Sequence, residues 1–127
     1  MFHLAESSKS FQEVVFELEP ALQRLGLSVL ARHDLGEALA RRARGEARGF
    51  DEDYLLLDIV GWRAVEELLA ADLRAGLALP WCFAVYTEDG ATRLGFQPLS
   101  PPSGDARLAR WVAEVEDKLT QLIDELR

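Results

Sequence analysis

Four residues, Glu88-Asp89-Gly90-Ala91, constrain this chain more than any others. They separate two apolar, β-branched and aromatic stretches, Cys82 to Thr87 and Thr92 to Phe96, and an Asp-Gly pair between such runs is a strong short-range signal for a β-hairpin. The sheet is therefore at least partly antiparallel, which excludes the all-parallel architectures that alternating helices and strands would otherwise suggest.

The earlier part of the chain alternates in just that way. Phe2 to Ala5 reads as a short first strand. Ser10 and Glu13 form a capping box, behind which Phe11, Val14, Val15, Leu18, Leu22 and Leu25 recur at helical spacing. Pro20 is expected to kink or interrupt that helix, and Gly26 to end it. Leu27 to His33 reads as a strand, and Asp34 with Glu37 as a second capping box opening a short helix that ends near Gly45. Tyr54 to Val60 is the clearest buried strand, and Trp62, Val65, Leu69 and Leu73 mark a third helix. Gly76 to Pro80 and Ser100 to Gly104 read as connectors. Leu108, Val112, Val115, Leu119, Leu122 and Leu126, spaced 4, 3, 4, 3, 4, define a long C-terminal amphipathic helix over about 105–126. Fewer than three heptads favour packing onto its own sheet over an intermolecular coiled coil.

The expected order is βαβαβαββα. It gives an α+β fold of two layers, with a mostly antiparallel sheet of about four to five strands, helices mainly on one face and the long C-terminal helix among them. At 127 residues one domain, 1–127, is expected. A chain of this size buries roughly two-thirds of its surface, so a core needs neither metals nor disulfides.

Charge and cysteine usage remove several function classes. With 14 basic and 22 acidic side chains the formal net charge is -8, a poor match for nucleic acid or anionic lipid. No apolar run approaches the roughly 20 residues needed to span a bilayer. The first residues lack the pattern of an export signal. Cys82 is the single cysteine, which excludes an intrachain disulfide, and a cytoplasmic location is the expectation. Asparagine is absent and arginine far outnumbers lysine. A GC-rich codon bias explains this usage, and a thermophilic source fits it too.

In this order and spacing, several stretches resemble a bacterial and archaeal family, the domain of unknown function 302. They are the helix ending in Leu25-Gly26-Leu27-Ser28-Val29, the strand Tyr54-Leu55-Leu56-Leu57-Asp58-Ile59-Val60, Gly76-Leu77-Ala78-Leu79-Pro80, and the hairpin Val85-Tyr86-Thr87-Glu88-Asp89-Gly90. The likeness runs from Ser7 to about Leu99, a family-like core of about 7–99. Two departures stand out. Family members often carry Asn-Pro where this chain has Gly61-Trp62, and many place a cysteine directly after the proline, where this chain has Trp81 and then Cys82. The resemblance implies a small α+β domain, a homodimer, and no catalytic residues to carry over.

Strand alternation sorts the side chains into two faces. Leu55, Leu57 and Ile59 go with Phe83, Val85, Leu94 and Phe96 as a helix-covered core. The opposite face collects Tyr54, Leu56, Asp58 and Val60 with Cys82, Ala84 and Tyr86, and the hairpin adds Arg93, Gly95 and Gln97. Asp58, Tyr54, Tyr86, Cys82 and Arg93 are therefore the candidate binding residues. A carboxylate in an apolar run needs a partner, and Arg93 or Arg32 is the expected one. Cys82 has neither an assignable base nor a positive environment, so its ordinary role is that of a small buried hydrophobe. His33 is expected at a strand end beside a helix cap, and His3 is the only other histidine, which leaves no metal site and no cofactor implied. Arg41, Arg42, Arg44 and Arg48 complement a helix C-terminus more simply than they bind an anion. Packing is the expected role of Trp62 and Trp81. The leading reading is a homodimeric binding module that meets a small ligand or protein partner through the open sheet face. The alternatives are a small enzyme using Asp58 as acid or base, with Tyr86 or Arg93 orienting substrate, and a purely structural homo-oligomer.

Overall fold

The computed structural model describes residues 2–42, 50–99 and 106–127. Five strands, β1 (His3–Ser7), β2 (Ser28–Asp34), β3 (Tyr54–Val60), β4 (Trp81–Glu88) and β5 (Ala91–Phe96), form one sheet in the order β1-β5-β4-β3-β2, every pair antiparallel. Among the described residues three α-helices connect them, α1 (Phe11–Arg24), α2 (Leu35–Arg42) and α3 (Trp62–Ala71), the last followed by a 3-10 segment, Leu73–Ala78, and α4 (Ala106–Leu126) follows β5. The fold is α+β, as the alternation and the hairpin imply. Arg44, Arg48, Gly45, Gly49, the 100–104 connector and the side chain of Leu108 fall outside the described residues.

The hairpin between β4 and β5 turns on Asp89 and Gly90 alone, both at positive φ (50° and 86°). That is the backbone a two-residue turn needs to match the twist of its strands, and Asp and Gly adopt it most readily. Glu52 reinforces it, its carboxylate accepting from the Thr87 hydroxyl at 2.9 Å and the Asp89 N–H at 2.7 Å.

One face of the sheet is covered by α1 and α4. Val14, Leu18, Ala21 and Leu22 of α1 and Val115, Leu119, Leu122, Ile123 and Leu126 of α4 close over Leu55, Leu57, Ile59, Phe83, Val85, Leu94 and Phe96. The seam of α4 thus packs onto its own sheet. The capping box at its expected place starts α1, with Ser10 Oγ accepting from Glu13 N and Glu13 Oε1 from Ser10 N. Gly26, at φ 74°, follows the end of α1 in the left-handed conformation that closes helices. The C-terminus of α4 is tied to β1: Ser7 Oγ donates to the carbonyl of Leu126 at 2.9 Å, and Ser8 N to that of Arg127 at 3.0 Å. These bonds satisfy carbonyls that the helix itself leaves free.

Pro20 does not interrupt α1, which runs through it from Phe11 to Arg24. Phe16, four residues earlier, is 83% exposed and Pro20 is exposed, so the carbonyl deprived of its partner lies on the solvent side. The first strand also lies later than Phe2 to Ala5, because pairing with β5 carries it to Ser7. No described helix is long and apolar enough to cross a membrane.

Candidate functional site

The second face of the sheet carries a concave region built from strand residues. Leu4 (β1), Tyr54 and Leu56 (β3), Cys82, Ala84 and Tyr86 (β4) and Gly95 (β5) line it, with Phe2, Phe96 and Gln97 at its margin, around a hollow of about 320 Å³. Period-two alternation explains the set: Leu55, Leu57, Phe83, Val85 and Leu94 enter the core, so their neighbours point the other way. Tyr54 and Tyr86 are register partners on β3 and β4, and their rings stack 5.1 Å apart at 14°. Such pairs add to the burial energy of the rings.

Gly95 lets β1 pack closely against β5. It faces Leu4 across the β1–β5 ladder, and a Cβ there would lie 2.2 Å from the His3 carbonyl oxygen and 2.6 Å from Leu4 Cδ2. Glycine inside a strand marks such close backbone approach. No lining residue of the hollow carries a formal charge.

Beside the hollow, Asp58 is the centre of a small polar cluster. Its Oδ2 lies 2.9 Å from His33 Nε2 on β2, and its Oδ1 accepts from the Cys82 thiol on β4 at 3.8 Å. The expected arginine partners are elsewhere. Arg32 turns to the helix side and pairs with Glu19 of α1 at 2.9 Å. Arg93, opposite Tyr86, sits between Glu88 (3.1 Å) and Glu6 (3.8 Å). A β-bulge decides this. Ser28 and Val29 face Val60 and Ile59, but Ala31 rather than Leu30 faces Asp58. The extra residue shifts the rest of β2 by one, which sends Arg32 to the helix face and His33 to the open one.

Cys82 is exposed, not the buried hydrophobe expected, because Trp81 and Phe83 take the inward positions on either side. Partial burial, then the negative charge of Asp58 and its hydrogen bond, push the thiol above its ordinary range. A thiol held in this way is a poor nucleophile at neutral pH. Among the described residues no group of three or more His, Cys, Asp and Glu side chains is placed to hold a metal ion.

Of the five candidate residues, Tyr54, Tyr86 and Cys82 come together in the hollow, whereas Asp58 and Arg93 lie beside it. Sequence reasoning missed Leu4 and His33. Leu4 was detectable had Phe2 to Ala5 been paired with the hairpin's outer strand, and His33 depends on the bulge. Trp81 packs at 5.0 Å on Trp111 of α4, but Trp62, at the first position of α3, is 59% exposed and does not pack as expected.

A family model described as domain of unknown function DUF302 matches residues 3–126. The fold is similar to that of a solved structure, an uncharacterized conserved DUF302 protein from Bacillus stearothermophilus, with a TM-score of 0.86 and 24% identity over 99% of this chain and 98% of that one. At that identity the likeness speaks for the fold alone. No curated protein matches the chain.

Proposed function

The chain belongs to the family of the domain of unknown function DUF302, and from the sheet face opposite α1 and α4 we propose that it is a homodimeric binding module. The uncharged hollow around the Tyr54–Tyr86 stack carries this reading. An antiparallel sheet with one solvated face ordinarily alternates apolar-in and polar-out. Here Leu4, Leu56, Ala84 and the two tyrosines occupy outward positions, and a contiguous apolar patch of this kind marks a contact surface.

The occupant of the face is a second copy of the chain. Two molecules that each carry a net charge of -8 repel through most of their surfaces, and approach costs least where charge is excluded. The margins of the face carry both signs, Arg93 with Glu6 and Glu88 on one side, with Asp58, hydrogen-bonded to His33, on the other. A two-fold arrangement sets one patch against the same patch of its twin, which a margin of mixed sign tolerates. The hollow is of the size of a small-molecule site, roughly 300 Å³ upwards. Without a charge in its lining it suits a small neutral ligand that meets apolar and aromatic side chains, with polar contacts from Gln97 and the tyrosine hydroxyls.

The test is the mass in solution of the wild-type chain and of Tyr86→Arg, which places a charge in the hollow. A dimer that becomes a folded monomer supports the reading. An unchanged dimer removes Tyr86 from the interface, and a wild-type monomer overturns the homodimer.

A further inference from the structure

We propose that the hollow takes a flat, uncharged aromatic molecule of one or two fused rings, held edge-down over Ala84. This rests on the binding-module reading above and names the class of its ligand. Strand register places the walls. One row of partners crosses four strands, from Leu56 on β3 through Ala84 on β4 and Gly95 on β5 to Leu4 on β1. All four residues line the hollow. The two middle positions carry a methyl group and no side chain, whereas both ends carry leucine. Leu4 does not stand upright over its own strand, since its Cδ2 lies 2.6 Å from where a Gly95 Cβ would be. It leans over β5, and Gly95 beneath it is buried. The space left open is the one above Ala84, which is only half-buried.

This slot is narrow across the strands and long along them. Leu56 and the leaning Leu4 stand over β3 and β5, two strand spacings or about 9.5 Å apart. An aromatic ring in contact with both walls needs about 7–8 Å, the sum of two carbon–carbon contacts. A saturated ring carries hydrogens on both faces and needs more. Along β4, Tyr86 and Cys82 bound the slot two residues to either side of Ala84, about 13 Å apart, which admits two fused rings. The Tyr86 end is fixed, because its ring stacks on Tyr54 at 5.1 Å. At the other end the Cys82 thiol donates to Asp58, so a carboxylate stands directly behind it and disfavours an anion. No cation in the lining offsets that charge, and Gln97 at the margin offers its amide to a hydroxyl or N–H on the ring edge. A site of this kind, apolar with few polar groups, is the usual form of a small-molecule pocket.

The experiment titrates the full chain with 2-naphthol, with 2-decalol as its saturated counterpart and with 2-naphthalenesulfonate as its charged one. The backbone amide signals of Ala84 and Gly95 are followed by NMR. 2-Naphthol should shift both signals saturably and bind at least about tenfold more tightly than either of the others. Ala84→Leu, which fills the floor from the open side and leaves the core untouched, should lose that binding while keeping its Tm. Leu56→Ala, which removes a wall, should shrink the preference for 2-naphthol over 2-decalol. Equal binding of 2-decalol, or an unchanged preference in Leu56→Ala, overturns the flat class. Equal binding of the sulfonate overturns the uncharged one. Undiminished binding by Ala84→Leu, or no saturable shift with 2-naphthol, overturns the site. Mass in solution separates this from self-association: a dimer that takes none of the probes keeps the homodimer and loses the ligand class, and a monomer that binds 2-naphthol does the reverse.

Discussion

His33 and Asp58 are not register partners, since His33 faces Leu56 and Asp58 faces Ala31, yet their side chains meet at 2.9 Å on the open side of the sheet. A diagonal pair of this kind lies within reach of side chains on adjacent strands. Asp58 then reaches to Cys82 on the next strand, so one carboxylate links three strands beside the hollow.

That link controls the thiol. Burial, the Asp58 charge and its hydrogen bond all hold Cys82 protonated, so its reaction with a thiol reagent at neutral pH should be slower than that of a free cysteine and should rise steeply as pH is raised. Asp58→Asn removes the charge and weakens the acceptor, which should lower the thiol's titration midpoint and speed labelling at fixed pH. Labelling rates against pH for the two chains check this; identical profiles would detach Cys82 from Asp58.

Gly95→Ala should strain the β1–β5 ladder, because the new methyl would meet the His3 carbonyl oxygen at 2.2 Å, a contact no rotamer relieves. Overpacking typically costs about 1–3 kcal/mol, and here the edge strand bears it. Thermal unfolding should show a lower Tm, and hydrogen exchange should show loss of protection in β1 first. An unchanged Tm would contradict the close approach of the two backbones.

Leu119→Ala should destabilise the chain by about 2–5 kcal/mol, the range for a cavity at a fully buried leucine. Denaturant unfolding measures it. A loss below about 1 kcal/mol would mean that α4 does not seal the sheet.

Ser7→Ala removes a buried donor to the last turn of α4. The Leu126 carbonyl would lose its partner, at a cost of about 1–3 kcal/mol. Fraying should be local, so hydrogen exchange at the end of α4 is the direct readout, and unaltered exchange there would sink the assignment.

The two faces of β3 and β4 were legible because alternation is a local property, and the hairpin because Asp89 and Gly90 supply the backbone its turn requires. The seam of α4 was legible for the same reason, its period being that of a helix. The partner of Asp58 was not. Without the bulge, Leu30 would face Asp58 and Arg32 would face Leu56 on the open side; the one extra residue exchanges Arg32 for His33, and nothing in the order Leu30-Ala31-Arg32-His33 announces it. Pro20 misled for a related reason. Its cost depends on which way the orphaned carbonyl points, which is set by packing and not by the sequence around it. Leu4 stayed hidden because β1 pairs with a strand some ninety residues away, a contact that no local pattern encodes.

The central claim, that the sheet face with the uncharged hollow joins two copies around a small neutral ligand, is tested most directly by native mass spectrometry of gently purified protein, followed by the same sample after denaturation. The account predicts a dimer that carries an additional small mass, released when the chains unfold. A monomer with no added mass would contradict it.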